Sequence, residues 1–205
     1  MAESGSWPSI RKHGLLSTSA LLDLFEKKGQ ERFEIESKWR PESVEISHPI
    51  YGSAVIRDQK PLRDIALHRL LDGMSVREYY ELLNGKTFFW VRRERLETLL
   101  NAKAYRDRSH TILTVDTKAL VKKHQKSISL SHINSGAIIC GNHRRGTGTF
   151  KRIMDYPFDE MKKKKGDEAI VELAVDYAVN DISELVIRVE EWMENKPIQL
   201  IWEKK

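Results

Sequence analysis

Ala169-Ile170-Val171-Glu172-Leu173-Ala174-Val175-Asp176-Tyr177-Ala178-Val179 is the stretch whose reading decides the fold. Val171, Leu173, Val175, Tyr177 and Val179 alternate with Ile170, Glu172, Ala174, Asp176 and Ala178. That period of two predicts a strand with one apolar and one mixed face. Glu172 falls near its middle. Because Glu168, Glu172 and Asp176 share the mixed side, the residues alone favour a solvated row of carboxylates. The preceding region, Ser131–Asp167, is basic, punctuated by glycine and without clean periodicity, and reads as a long loop over a site. A carboxylate fixed on a strand beside such a loop can hold a cationic reacting centre.

Working outward, Trp7–His13 reads as a short helix stopped by Gly14, and Ser17 or Ser19 caps a helix carrying Ala20, Leu21, Leu24 and Phe25 to near Gly29. Gln30–Pro41 is polar and ambiguous. Val44–Ser47 and Ser53–Arg57 read as strands of a hairpin. Leu62–Leu71 is an amphipathic helix, and Ser75 with Glu78 forms a capping box for the next, which stops at Asn84-Gly85. The aromatic run Thr87–Val91 predicts a buried strand. A helix with Leu96, Leu99, Leu100 and Ala104 follows, then a strand His110–Val115, a basic helix Thr117–His124 and a strand Ser127–Leu130. Beyond the Glu172 strand, Asp181 and Ser183 mark a turn, and Leu185–Val189 and Ile198–Trp202 add two strands. Strands and helices do not alternate strictly, so the class is α+β.

A chain of 205 residues is long enough for one domain with a real core. Its net charge of +5 permits a polyanionic partner without demanding one. A single cysteine, Cys140, excludes an intramolecular disulfide, and the start lacks the pattern of a signal peptide. No apolar run approaches the ~20 residues needed to cross a bilayer. These features predict a cytoplasmic protein with no membrane partner.

Of Phe88, Phe89 and Trp90, two are expected in the core, and Trp90, at the strand end, faces a cleft. Arg57, directly after an apolar strand, has the planar fork that grips a pyrophosphate, or else sits in a surface turn with Asp58. His143-Arg144-Arg145-Gly146-Thr147-Gly148-Thr149 looks like an anion cradle, yet lacks the features of a Walker loop or a dinucleotide fingerprint. Together with Lys151, Arg152 and Lys162–Lys165 it can meet a phosphate-bearing substrate. Cys140 and His143 have a zinc-like spacing near His132, but no fourth ligand is evident, so no metal is expected and Cys140 reads as a small buried residue.

The order of parts resembles the ADP-ribosyltransferase fold, particularly its DarT-like DNA-modifying branch and the tRNA splicing phosphotransferases. Over nearly the whole chain it resembles an uncharacterised bacterial family with the same layout. The stretches that carry this are Trp7–Ser17, Val55–Gln59, Leu83–Trp90 with Arg95-Leu96, Ile133–Gly136 and Val171–Asp176. The resemblance implies a single domain over residues 1–205, with a split pair of small antiparallel or mixed sheets, flanking helices, and NAD in a cleft between the sheets. Glu172 matches the late glutamate that binds a ribose hydroxyl and stabilises the ribosyl cation. Phe88–Trp90 matches the aromatic strand beside the nicotinamide. The turn at His13-Gly14-Leu15 matches the one after the family's first motif, so Gly14, Ser17, Trp90 and Arg57 are expected to bind NAD. Arg145, Asn134 and Ser135 are expected at the acceptor. The first motif itself, a His or Arg, normally lies ahead of a segment like Met1–Trp7, so its strand is expected before Met1 or is replaced.

The implied activity is NAD-dependent ADP-ribosyl transfer, with a nucleic acid (DNA or RNA) or a nucleotide as acceptor. Two alternatives stay open: a nucleic-acid-binding or tRNA-phosphotransferase-like protein on the same fold, and a catalytically inactive interaction protein.

Overall fold

Glu172–Asp176 is an inner strand of a four-stranded sheet, flanked antiparallel by Lys86–Trp90 and Ile128–Ser131, with Lys151–Arg152 at the edge. The computed structural model describes residues 1–138 and 143–205. The long strand expected over Ala169–Val179 is divided. Tyr177 adopts a φ of +63°, a left-handed conformation that an alternation pattern cannot reveal. The chain therefore leaves this sheet, and Ala178–Val179 pairs with Leu15–Leu16. The junction is held at both of its peptide groups. Tyr177 N–H donates to Gly85 O at 2.7 Å, and Ser17 N–H donates to Tyr177 O at 2.9 Å.

A second four-stranded antiparallel sheet joins Ala2–Glu3, His110–Val115, Val186–Met193 and Lys196–Glu203. Leu173 and Val175 of the first sheet share one buried cluster with Val186 and Val189 of the second, together with Trp7, Leu120 and Ile182 from helices. Ile128, Leu130 and Phe89 pack on this same side, so one face of the Glu172 sheet is core. Small two-stranded units complete the fold: the hairpin Val44–His48 with Gly52–Ile56, and a parallel pair of Leu71–Asp72 with Arg145–Gly146. The molecule is α+β with several small, mostly antiparallel sheets. No helix among the described residues is long and apolar enough to cross a membrane.

The helix Trp7–His13, the strand His110–Val115 and the helix Thr117–His124 have the expected bounds. Ser17 caps Thr18–Leu24, accepting from Ala20 N–H at 3.1 Å, and the Ser75–Glu78 capping box opens Val76–Asn84. Two segments hold helices that the sequence reading lacks. The ambiguous Gln30–Pro41 stretch contains most of a helix, Gly29–Glu36, and the supposed loop contains another, Phe158–Lys165. Each buries only one side chain, Ile35 and Met161 respectively, so neither carries an apolar stripe. Their support is partly ionic, as in Arg32–Glu36 at 2.6 Å and Lys164–Glu160 at 2.5 Å. The turn expected at Asp181 and Ser183 is a single helical turn, Ile182–Leu185.

Candidate functional site

The register of the first sheet puts Ser131, Glu172 and Trp90 side by side, with Ser129, Ala174 and Phe88 two residues along. Paired residues of antiparallel strands point to the same face. These six therefore occupy the side opposite Leu130, Leu173 and Phe89. Of the aromatic run only Phe89 packs against the main core, which corrects the expectation of two. Phe88 is 40% exposed and Trp90 half-buried. The reason is the alternation itself, which sends Phe88 and Trp90 the same way. Glu172, Trp90, Phe88, Asn134 and Ser135 are among the walls of an extended cleft of about 1700 Å³, which also takes in Phe89, Leu113 and Leu173 from the core-facing side.

Glu172 is only 4% exposed, so the row of solvated carboxylates is not what forms. Its two oxygens both accept from the Ser135 N–H, each at 3.2 Å. No ion pair forms at Glu172 among the described residues, while Arg145 and Arg95 act on it electrostatically from further away. Loss of solvent is the dominant influence. Burial raises the carboxyl to about 7 against the opposing pull of Ser135 and the two arginines. At neutral pH the group is therefore poised between its two forms.

The loop that supplies the Ser135 N–H is pinned on its other side. Tyr79 donates its hydroxyl to Ser135 O at 3.1 Å, from a fully buried position on the helix Val76–Asn84. Arg145 donates to Asn134 O at 3.2 Å, Ala137 O at 2.6 Å and His143 O at 2.9 Å. Ile138 N–H continues the tie to Pro61 O at 3.1 Å. Arg145 is thus buried behind the loop and does not line the cleft, which corrects its expected place at the acceptor. A single sequence cannot distinguish an arginine aimed at ligand from one aimed at carbonyls.

The expected anion cradle is also closed. Gly146 N–H donates to Thr149 Oγ1 at 2.8 Å, and Gly146 lies in the parallel pair with Asp72. Its φ is +142°, and a Cβ there would lie 1.9 Å from Asp72 O, so only glycine fits.

The remaining residues divide by role. Gly14 lines the cleft at φ +90°, where a Cβ would meet Asn180 Cα at 2.8 Å. Ser17 lines it too, but its hydroxyl is occupied as a helix cap. Arg57 lies on the wall with its guanidinium 4.5 Å from the Tyr105 ring centroid and a bond to Met1 O at 3.4 Å. It is a stacked arginine rather than one half of a turn with Asp58, whose carboxylate instead accepts from Tyr105 at 3.0 Å. Arg95, at the rim, pairs with Glu168 at 2.5 Å. Among the described residues no group of three His, Cys, Asp or Glu side chains could hold a metal. His132 and His143 meet edge to face, 6.3 Å apart, and the reading of Cys140 lies outside the described residues.

Tyr79, Arg40 and Gln59 were not singled out as site residues by the sequence. The signal for Tyr79 was available: a tyrosine on a buried helical stripe must find an acceptor for its hydroxyl.

A family model described as a family of unknown function, DUF7002, matches residues 1–186, and the chain belongs to that family. No curated protein and no solved structure matches it.

Proposed function

We propose, for this member of a family with no assigned function, that the Glu172 cleft binds NAD and cleaves its nicotinamide–ribose bond, passing the ADP-ribosyl group to an acceptor. The observation that carries this reading is a buried carboxylate that makes no ion pair among the described residues. It rests on a central strand, receives one peptide N–H, and stands beside a half-exposed tryptophan in an open cleft. A buried acid without a neutralising partner is costly as structure and useful as chemistry.

In the reaction the bond between C1′ and the nicotinamide nitrogen breaks, and its electron pair leaves with nicotinamide. The ribosyl group becomes an oxocarbenium ion. Ionised Glu172 stabilises that charge and accepts a hydrogen bond from a ribose hydroxyl, while Trp90 stacks on the departing ring. Attack at C1′ by a hydroxyl or ring nitrogen of the acceptor, or by water, completes transfer and releases one proton. The split sheets with an aromatic strand next to the glutamate strand support an ADP-ribosyltransferase-like arrangement. The exposed lysines of Phe158–Lys165 favour a nucleic acid as acceptor.

The test is nicotinamide release from NAD by the wild type and by Glu172→Gln, with and without single-stranded DNA or RNA. Release by wild type alone supports the reading. Equal background in both, with both proteins folded, overturns it.

A further inference from the structure

We propose that Arg40, backed by Gln59 and Asn84, is an anion-holding end of the same cleft, and that the ligand reaching it from Glu172 is a nucleoside diphosphate. This rests on the reading of the cleft given above and extends it to the class of ligand.

Arg40 is 5% exposed and lines the cleft, yet makes no ion pair among the described residues. Its guanidinium donates to Arg57 O at 2.8 Å, to Ile35 O, and weakly to Asn84 Oδ1 at 3.4 Å. Carbonyls orient the fork but do not neutralise it. Burial weakens its hold on the proton, to about 10, and Asp58 opposes that only from a distance. Arg145 is the instructive contrast: equally buried and equally bound to carbonyls, it lies behind the wall rather than on it. A buried cation on a cleft wall calls for an anion from outside the chain.

Three further observations agree. Gln59, also on the wall, keeps its buried Oε1 without a partner among the described residues, ready for a hydroxyl or amine of the ligand. Arg57, Lys60 and Arg63 bring more positive charge to this end. The wall is continuous: Glu172 holds the Ser135 loop, Ile138 of that loop bonds Pro61, and Gln59 bonds Asn84 at 3.4 Å. A ligand with a ring at Trp90 and a cationic carbon at Glu172 would run along this wall to the guanidinium, where a diphosphate accepts charge-assisted hydrogen bonds.

Calorimetric titration of the full chain with ADP-ribose, inorganic pyrophosphate and adenosine tests this. Wild type should bind ADP-ribose and, more weakly, inorganic pyrophosphate. Arg40→Met should weaken ADP-ribose by about tenfold or more, as loss of a charge-assisted bond does, and leave adenosine unchanged. A folded Arg40→Met that binds ADP-ribose like wild type overturns the proposal. So does a wild type that binds neither ADP-ribose nor pyrophosphate. If Arg40→Met does not fold, the exposed pair Lys60→Gln with Arg63→Gln decides. A loss of roughly threefold with a shallower salt dependence supports the anion end, and unchanged affinity and slope overturns it. ADP-ribose binding through Arg40 without NAD cleavage leaves the anion end standing and sinks the transferase. NAD cleavage with an unchanged KM in Arg40→Met does the reverse.

Discussion

The two ends of one strand carry the same kind of group in opposite circumstances. Asp176 is met by Lys86 at 2.5 Å and Arg152 at 2.6 Å. Burial tends to raise its carboxyl, but these cations prevail and hold it below the ordinary range. Glu172, four residues earlier, is more deeply buried and has no cation in contact among the described residues, so burial prevails and its proton is held to about 7. The strand, face and sheet are common to both. The difference lies in what the adjoining segments bring: cations from Lys86–Trp90 and Lys151–Arg152 at one end, a peptide N–H from the Ser135 loop at the other. An acid whose charge is already matched is a fastener, and one left unmatched beside a cleft is available for work on a ligand.

The largest expected effect breaks this contrast directly. Glu172→Gln should lower nicotinamide release by about 10²- to 10³-fold, the usual scale for losing a transition-state electrostatic contact. Asp176→Asn should leave release within a few-fold, measured in the same assay. If the two substitutions cost activity equally, the ends do not differ in function.

The pH dependence sharpens it next. Glu172 binds its proton more tightly folded than unfolded, so its own contribution to native stability is greatest below pH 4.5 and falls as pH rises toward about 7. Above that, the ionised group costs on the order of 3 kcal/mol. Melting temperatures from pH 5 to pH 8 should therefore show Glu172→Gln gaining on wild type as pH rises. For Asp176 the sign is opposite: its contribution is present above pH 3.8 and is lost on acidification through its lowered value. Cleavage should itself increase through pH 7, where Glu172 ionises.

Smaller effects concern the supports. Tyr79→Phe leaves Ser135 O without its buried donor, and urea unfolding should record a loss of about 1–2 kcal/mol. The pH at which cleavage is half-maximal should shift with it, which a purely structural role would not produce. Asp176→Asn unpairs both the largely covered Lys86 and the half-exposed Arg152, and should cost about 1–2 kcal/mol. Lys162→Gln with Lys163→Gln should change stability by less than about 0.5 kcal/mol, because both side chains are exposed.

Alternation, caps and apolar stripes made the central strands and most helices legible in the sequence, since each leaves a local trace. The position of Glu172 on a strand was readable for that reason, whereas its pairing with the aromatic strand is non-local and left no trace. Its burial was not, because the cover comes from the loop at Ser135, whose place is fixed by Tyr79 and Arg145 from distant parts of the chain. Arg145 and Arg40 have nothing local to mark them as buried. The helix Phe158–Lys165 was hidden because four lysines in its last turns erase any apolar stripe. Tyr177 concealed the sheet change, since its left-handed backbone sits inside an unbroken alternation.

Gly146 gives the molecule a weak point behind the cleft wall. Adding a single methyl group there would collide with the backbone at Asp72, displace the neighbouring guanidinium, and slacken the loop resting on the acid. A random screen for dead variants should therefore recover this position as readily as the carboxylate, although it does not line the cleft.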